Sequence, residues 1–236
     1  MRVITGKARG VQLKTPQGLK TRPTTDRVKE AMFSIINFDI PGARVLDLGS
    51  GCGTLGVMLC AKDPGCTVTG IELDETAHQW AQKNAAANTL HERMVSICGD
   101  FTCLSNHVAS GSFDVCISNP PYFTAGFRST STPLARHEDS CSLDGLICNA
   151  AWALKYGGDF FLVHKPERLA EIIAAACNQK LEPKRLCLVR HKEKGPVSLI
   201  LLQCRKGGKP GLIWEEITLC DPAGQPTEDY RRIYHL

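Results

Sequence analysis

The chain lacks any run of about 18 apolar residues, the length needed to cross a bilayer, so a membrane-spanning helix is not expected. Its opening, Met1-Arg2-Val3-Ile4-Thr5-Gly6-Lys7, has neither a long apolar stretch nor a small-residue cleavage site, which argues against a secretory leader and for a cytoplasmic protein. Cys-x-x-Cys pairs and Cys/His ligand clusters are also missing, although twelve cysteines are scattered from Cys52 to Cys220. Cys98 and Cys103 come nearest to a pair, but their spacing matches no common zinc or iron-sulfur framework, so no metal is expected. Such thiols suit a reducing compartment and serve as small apolar residues. No internal repeat or low-complexity segment is evident.

What is present is enough for a substantial core: 236 residues, 43% of them apolar, fit one medium-sized domain with a short appendage. The formal net charge of +4 is unevenly spread. Residues 1–30 set eight Lys and Arg against Asp26 and Glu30, and residues 180–210 set nine against Glu182 and Glu193, leaving the rest of the chain at −9. Two basic segments on an acidic body suit a polyanion, because Lys and Arg gain affinity for phosphates by releasing condensed counterions. RNA or DNA is therefore the expected partner class.

Along the chain, the apolar spacing of Val28, Ala31, Met32, Ile35 and Ile36 predicts an amphipathic helix over 25–37, with Thr25 or Asp26 as cap. Pro41-Gly42 breaks it, dividing a basic N-terminal arm and helix (1–40) from the main domain (41–236). From Arg44 onward, β-rich runs at 45–48, 68–71, 94–97, 115–117 and 160–163 alternate with helical stretches near 54–62, 75–88 and 142–155. Successive β-α units imply a mainly parallel sheet with helices on both faces. A last pair of strands, 185–189 and 197–204, joined by the polar turn 191–196, adds an antiparallel C-terminal hairpin and brings the sheet to seven strands.

The chemistry is carried by the strand ends. Val45-Leu46-Asp47-Leu48-Gly49-Ser50-Gly51-Cys52-Gly53 runs from a strand into a glycine turn that opens a helix, where a ligand approaches bare backbone and free N–H groups favour a carboxylate. The spacing Gly-x-Gly-x-Gly, with Asp47 just ahead, differs from the Gly-x-Gly-x-x-Gly of pyrophosphate-binding loops. Thr69-Gly70-Ile71-Glu72-Leu73-Asp74 ends the second strand with carboxylates. Glu72 is the candidate for both ribose hydroxyls of an adenosine, and Asp74 for a helix cap, with the reverse assignment open. Asp100, in Cys98-Gly99-Asp100-Phe101, follows the third strand, where an ordinary turn is the alternative reading.

In Ser118-Asn119-Pro120-Pro121-Tyr122 neither proline can donate to a sheet, so the strand stops at Asn119 and a stiff turn follows. Stiffness suits a hydrogen-bond site. A planar amino nitrogen is a poor nucleophile because its lone pair is delocalised; accepting its two N–H bonds on the Asn119 side-chain oxygen and the Pro120 carbonyl frees that pair. Tyr122 would stack on the attached ring or amide. The amine of adenine, guanine or glutamine would each fit.

Gly49, Gly51 and Gly53 resemble motif I of the class I (Rossmann-like) S-adenosylmethionine-dependent methyltransferases, and the strand pattern with its antiparallel C-terminal hairpin is typical of that class. The resemblance implies S-adenosyl-L-methionine as cofactor, held by Asp47, Gly49, Gly51, Gly53, Glu72, Asp100 and Asn119, with Asn119, Pro120, Pro121 and Tyr122 catalytic. Residues 1–36, notably Thr21-Arg22-Pro23-Thr24-Thr25-Asp26-Arg27, resemble bacterial small-subunit rRNA guanine-N2 methyltransferases, whose catalytic motif usually begins with Asp where this chain has Asn119. Residues 133–236 resemble bacterial tRNA(Val) adenine-N6 methyltransferases, through Ala135-Arg136-His137-Glu138, Leu162-Val163-His164-Lys165-Pro166-Glu167-Arg168-Leu169, Lys206-Gly207-Gly208-Lys209-Pro210-Gly211-Leu212 and Arg231-Arg232-Ile233-Tyr234; Asn119-Pro120-Pro121-Tyr122 agrees. Together these imply methylation of the N6 amine of adenine in RNA, tRNA before rRNA. Guanine-N2 of rRNA is the alternative, and glutamine-N5 of a protein a further one. Arg22, Arg136, His137, Lys165 and Arg168 are the candidate RNA contacts. Phe123 and Phe127 are read either as walls of the base pocket or as anchors of their loop.

Overall fold

The computed structural model describes residues 41–120 and 142–234. The predicted helix over 25–37, and with it the N-terminal arm, Arg22, Pro121, Tyr122, Phe123, Phe127, Arg136 and His137, lie outside the described residues.

One sheet organises the rest. Strand β1 (Arg44–Leu48) is followed by helix α1 (Thr54–Lys62), β2 (Thr67–Glu72), α2 (Glu75–Ala87), β3 (Met94–Cys98), a short 3-10 turn (Phe101–Asn106) and β4 (Phe113–Ser118). Then come α3 (Leu143–Ala153), β5 (Leu154–His164), a second 3-10 turn (Pro166–Arg168), α4 (Leu169–Asn178), β6 (Leu181–Lys192), β7 (Val197–Lys206), β8 (Ile213–Cys220) and α5 (Glu228–Tyr234). The strand order is β3-β2-β1-β4-β5-β7-β6-β8. β1 to β5 run parallel, β7 is antiparallel to both β5 and β6, and β8 runs parallel to β6. All seven expected strands are there; β8 is the addition.

Burial on both faces explains the apolar runs. In β1, Val45 belongs to the core shared with Val57, Leu59, Ala81 and Ala85 of α1 and α2. Its neighbour Leu46 faces the opposite core, with Ile147 and Ala150 of α3 and Ile172 and Ala176 of α4. A strand covered on both sides carries no polar alternation. α1 is buried over Thr54–Cys60 and α2 buries Ala77, Ala81, Asn84 and Ala85, the i, i+4, i+7, i+8 stripe of a half-exposed helix. Asp74 Oδ1 accepts the Ala77 N–H (2.7 Å), capping α2, and Ser142 Oγ accepts that of Gly145 (3.0 Å), capping α3.

One boundary moves. The helix expected to reach 155 ends at Ala153, and β5 starts at Leu154 rather than 160. Leu154 pairs with Phe113, and the register then shifts before Val115 pairs with Asp159. Gly157 (φ 82°) and Gly158, where a Cβ would stand 2.8 Å from the Asp114 carbonyl oxygen, make that irregularity possible. No helix among the described residues is long and apolar enough to cross a membrane.

Candidate active site

The parallel register brings the predicted residues to one edge. Leu48 is level with Ile71 and with Ser118, and Glu72 is level with Cys98. The glycine turn, Glu72, Asp100 and Asn119 therefore all emerge at the carboxyl ends of β1 to β4, the usual place for ligands in open α/β sheets. Ser118 Oγ donates to the Leu48 carbonyl (2.8 Å), fastening the end of β4 to the end of β1. Asn119 and Gly49 each follow the last paired residues, Ser118 and Leu48, at the same end of the sheet. Asn119 and Pro120 are half-buried.

The turn itself is rigid. Gly49 and Ser50 both donate to the Ile71 carbonyl (3.0 and 3.1 Å), and Gly53 to that of Ser50 (3.0 Å). Gly51 donates to Glu72 Oε2 at 2.6 Å. Asn84, buried in α2, donates from Nδ2 to the Cys52 carbonyl (2.9 Å). The turn thus uses the N–H groups of Gly49, Ser50, Gly51 and Gly53, while the helix start behind it, where free N–H groups are expected, has no side-chain cap.

The three glycines divide by role. Gly49 (φ 75°) and Gly51 (φ 55°) have nothing within 4 Å of where a Cβ would be, so the space above them is open. Gly53 (φ 74°) is packed: a Cβ there would stand 2.3 Å from Met94 Cε and 3.0 Å from Ala81 Cβ. Its glycine permits α1, α2 and β3 to close together. Asp47 is 1% exposed within β1. Burial, with the Asp47 carboxylate alongside, pushes the Cys116 thiol well up, away from nucleophilic chemistry.

Glu72 lies at the end of β2 and Asp74 caps α2, which settles which carboxylate caps the helix. Glu72 Oε1 accepts the Asp74 N–H (2.9 Å) while Oε2 holds Gly51. Each oxygen keeps a second lone pair, enough for two ligand hydroxyls. Asp100 Oδ1 accepts the Thr102 N–H (2.8 Å) and so caps the 3-10 turn. Open space over two left-handed glycines, an uncapped helix start and a partly used carboxylate fit a nucleoside with an amino-acid tail.

Beyond β5 the same edge continues. His164 is 3% exposed, and burial holds its imidazole below the ordinary value. Lys165 Nζ donates to the Ser198 carbonyl (3.3 Å), and Arg168 is engaged by Glu171. Arg168 thus spends part of its fork on α4. A cavity of about 380 Å³ is lined in part by Arg44, Thr69, Val95, His107 and Phe113. Among the described residues no group of His, Cys, Asp and Glu could hold a metal.

Sequence reasoning did not single out Asn84 or Ser118. Both act across large separations, 32 and 70 residues, on backbone carbonyls, and nothing local marks them.

The strand order with β7 reversed, and the glycine cradle at the end of β1, are those of the class I S-adenosylmethionine-dependent methyltransferases. A predicted O-methyltransferase from Agrobacterium tumefaciens superposes with a TM-score of 0.71 over 87% of this chain and 95% of its own, at 19% identity. The family model described as Conserved hypothetical protein 95 matches residues 1–144. The tRNA1(Val) (adenine(37)-N6)-methyltransferase of Porphyromonas gingivalis is 35% identical over 63% of this chain, the match spanning 61% of that relative's length. That of Bacteroides fragilis is 33% identical over 68% of each. The chain belongs to the Conserved hypothetical protein 95 family and to that of the tRNA1(Val) adenine-N6 methyltransferases.

Proposed function

We propose that this chain transfers the methyl group of S-adenosyl-L-methionine to the exocyclic N6 amine of an adenine in tRNA. The observation that carries the reading is the seating of Asn119 beside the glycine turn, fixed by the level pairing of Leu48 with Ser118 and the Ser118–Leu48 bond. An amino group held there faces the cofactor cradle directly. The bound cofactor supplies a methyl group on a sulfonium leaving group. Glu72 takes the ribose hydroxyls, Gly49 and Gly51 leave room for the tail, and Asp47 and Gly53 shape the turn from beneath. Asp100 is assigned to the adenine ring of the cofactor.

On the substrate side, the Asn119 side-chain oxygen and the Pro120 carbonyl accept the two N–H bonds of the amine, and Tyr122 stacks on the base. The product loses its proton to water without a dedicated base. Lys165, Arg168 and, from the segments around them in the sequence, Arg22, Arg136 and His137 are assigned to RNA contact. Asn at 119 supports adenine over guanine, and the names of the relatives at 33–35% identity support adenine over both guanine and glutamine. We place the reaction in the cytoplasm, where the reduced state of the eleven described cysteines would persist.

The test is mass spectrometry of nucleosides from tRNA and rRNA of a strain with and without the gene. Loss of N6-methyladenosine from tRNA is expected. Loss of N2-methylguanosine from rRNA instead would replace the reading.

A further inference from the structure

The basic segment 180–210 is contiguous in sequence, but the structure splits it. β6 and β7 form an antiparallel hairpin, so the cations near Lys180 and Lys209 lie at one end and those near Lys192 at the other. Twelve residues of β6 at about 3.3 Å each put those ends on the order of 35 Å apart. That is several Debye lengths at physiological salt, roughly 8 Å each, so the two ends cannot act as one patch.

Pairing separates them further. At the lower end Arg205 forks onto Asp159 (2.9 and 2.7 Å) and Arg185 pairs with Glu215 (3.5 Å). Lys206 donates to the Leu154 carbonyl (2.8 Å) and Lys184 to that of Lys209 (2.9 Å). These cations hold the sheet together. At the upper end Arg190 does the same, bonding Glu216 and the Gly195 carbonyl (both 2.5 Å), but His191, Lys192 and Lys194 stand exposed on the turn, with Glu193 the carboxylate among them.

This upper end overhangs the active edge. The level of Ser118 passes through Leu162 and Leu202 to Leu186. From Leu186 the strand runs on about six residues to Lys192, roughly 20 Å past the level at which β4 stops. β5 pairs with β7 only as far as His164 with Ile200, so residues 197–199 and their β6 partners rise beyond it. β8 braces the outside, with Thr218 level with Arg190 and Cys220 with Lys192, and Lys165 reaches the Ser198 carbonyl from the floor. The result is a supported wall beside Asn119, carrying its lysines at the crest.

We propose that this overhanging hairpin is an RNA-backbone grip in which Lys192 and Lys194 bind phosphates of a stem flanking the target base; it rests on the reading of an RNA substrate. Three strand spacings across and about 20 Å up set the crest on the order of 25 Å from Asn119. That reach spans several nucleotides of a strand. The grip meets backbone flanking the target while Asn119 receives the base.

Two charge-matched variants test it: K192A/K194A at the crest and K180A/K209A at the far end, both exposed pairs. Binding of a fluorescent tRNA transcript is followed by anisotropy from 50 to 200 mM salt, with S-adenosylhomocysteine calorimetry confirming a folded cradle. Losing two phosphate contacts should flatten the slope of log K against log salt by about 1.4–1.8. Wild type would then lose about tenfold more affinity than K192A/K194A across that range, and KM for tRNA would rise about tenfold in K192A/K194A alone. K192R/K194R should restore both. A wild-type slope and KM in K192A/K194A, or an equal loss in K180A/K209A, overturns the grip while leaving the tRNA reading intact. Failure of the wild type to methylate any RNA overturns both.

Discussion

The polar side chains of the two halves of the sheet work differently. In the half built from β1 to β4 they serve the backbone: Glu72 holds Gly51 and Asp74, Asn84 holds Cys52, Ser118 holds Leu48, and Asp100 holds Thr102. The half built from β5 to β8 adds ion pairs to such backbone bonds, Arg205 with Asp159, Arg185 with Glu215, Arg190 with Glu216 and Arg168 with Glu171. A bond to backbone fixes where the chain goes, which a ligand cradle needs. Surface ion pairs are worth little individually and weaken with salt. The first half is built for geometry; the second shares that bonding and adds charge pairs at its surface.

The most damaging change should fall at the catalytic end of the first half. Asn119→Ala removes the side-chain acceptor for the amine, and loss of one such aimed group typically costs on the order of 10²–10³ in kcat. Steady-state methyl transfer into tRNA measures it, with S-adenosylhomocysteine affinity little changed. Full activity in this variant would end the amino-clamp mechanism.

Within the turn, the two kinds of glycine should fail differently. Gly53→Ala combines a left-handed backbone with a Cβ driven against Met94 and Ala81, together about 2–4 kcal/mol. Thermal denaturation should show Tm falling by roughly 5–15 °C. Gly51→Ala meets no protein atom, so Tm should fall by only about 2–4 °C from backbone strain, while cofactor affinity drops about tenfold or more because the new methyl occupies the cradle. Equal losses of Tm in the two would erase the distinction between the packed and the open glycine.

That distinction also shows what the sequence could disclose. β1 to β5, the helices α1 to α3 and the glycine turn were legible because covered strands read as apolar runs punctuated by glycine, and because Asp74 stands where a cap must be. Asn119 was legible because two prolines fix where its strand ends. β8 was not: Ile213, Trp214, Glu215 and Glu216 are all exposed on an outer strand, so no alternation marks them. Nor was the use of Glu72 to hold Gly51, since a carboxylate at a strand end gives no sign of which turn 21 residues away it will meet. The basic segment 180–210 was legible as a hairpin, and the structure divides its cations between the hairpin's two ends.

In the second half, Arg205→Ala tests whether any ion pair there exceeds the surface norm. Asp159 is 5% exposed, and Arg205 covers both of its oxygens. Removing the guanidinium leaves a buried carboxylate short of two charge-assisted bonds, a loss of about 1–3 kcal/mol in urea denaturation. A loss as small as that of Arg168→Ala, expected below about 1 kcal/mol, would make this pair an ordinary surface contact.

The smallest effect belongs to Asp114, which joins the two modes: Oδ2 accepts the Arg44 N–H (2.9 Å) and Oδ1 meets Lys155 Nζ. Burial raises its pKa, but the Lys155 hydrogen bond and the Arg44 N–H outweigh it, leaving the carboxyl below its ordinary value. A depressed carboxylate contributes stability that is fully present above the unfolded pKa, about 4, and is lost as pH falls through the lower folded value. Because 39% of the side chain is exposed, solvent screening keeps the contribution under about 1 kcal/mol. Between pH 5 and pH 3 the wild type should therefore lose slightly more Tm than Asp114→Asn, by no more than about 2–4 °C. High salt should shrink that gap only in part, because the backbone bond to Arg44 is screened less than the exposed Lys155 contact. A gap that vanished entirely in salt would assign Asp114 to the side-chain pairs of the second half rather than to the seam between the two.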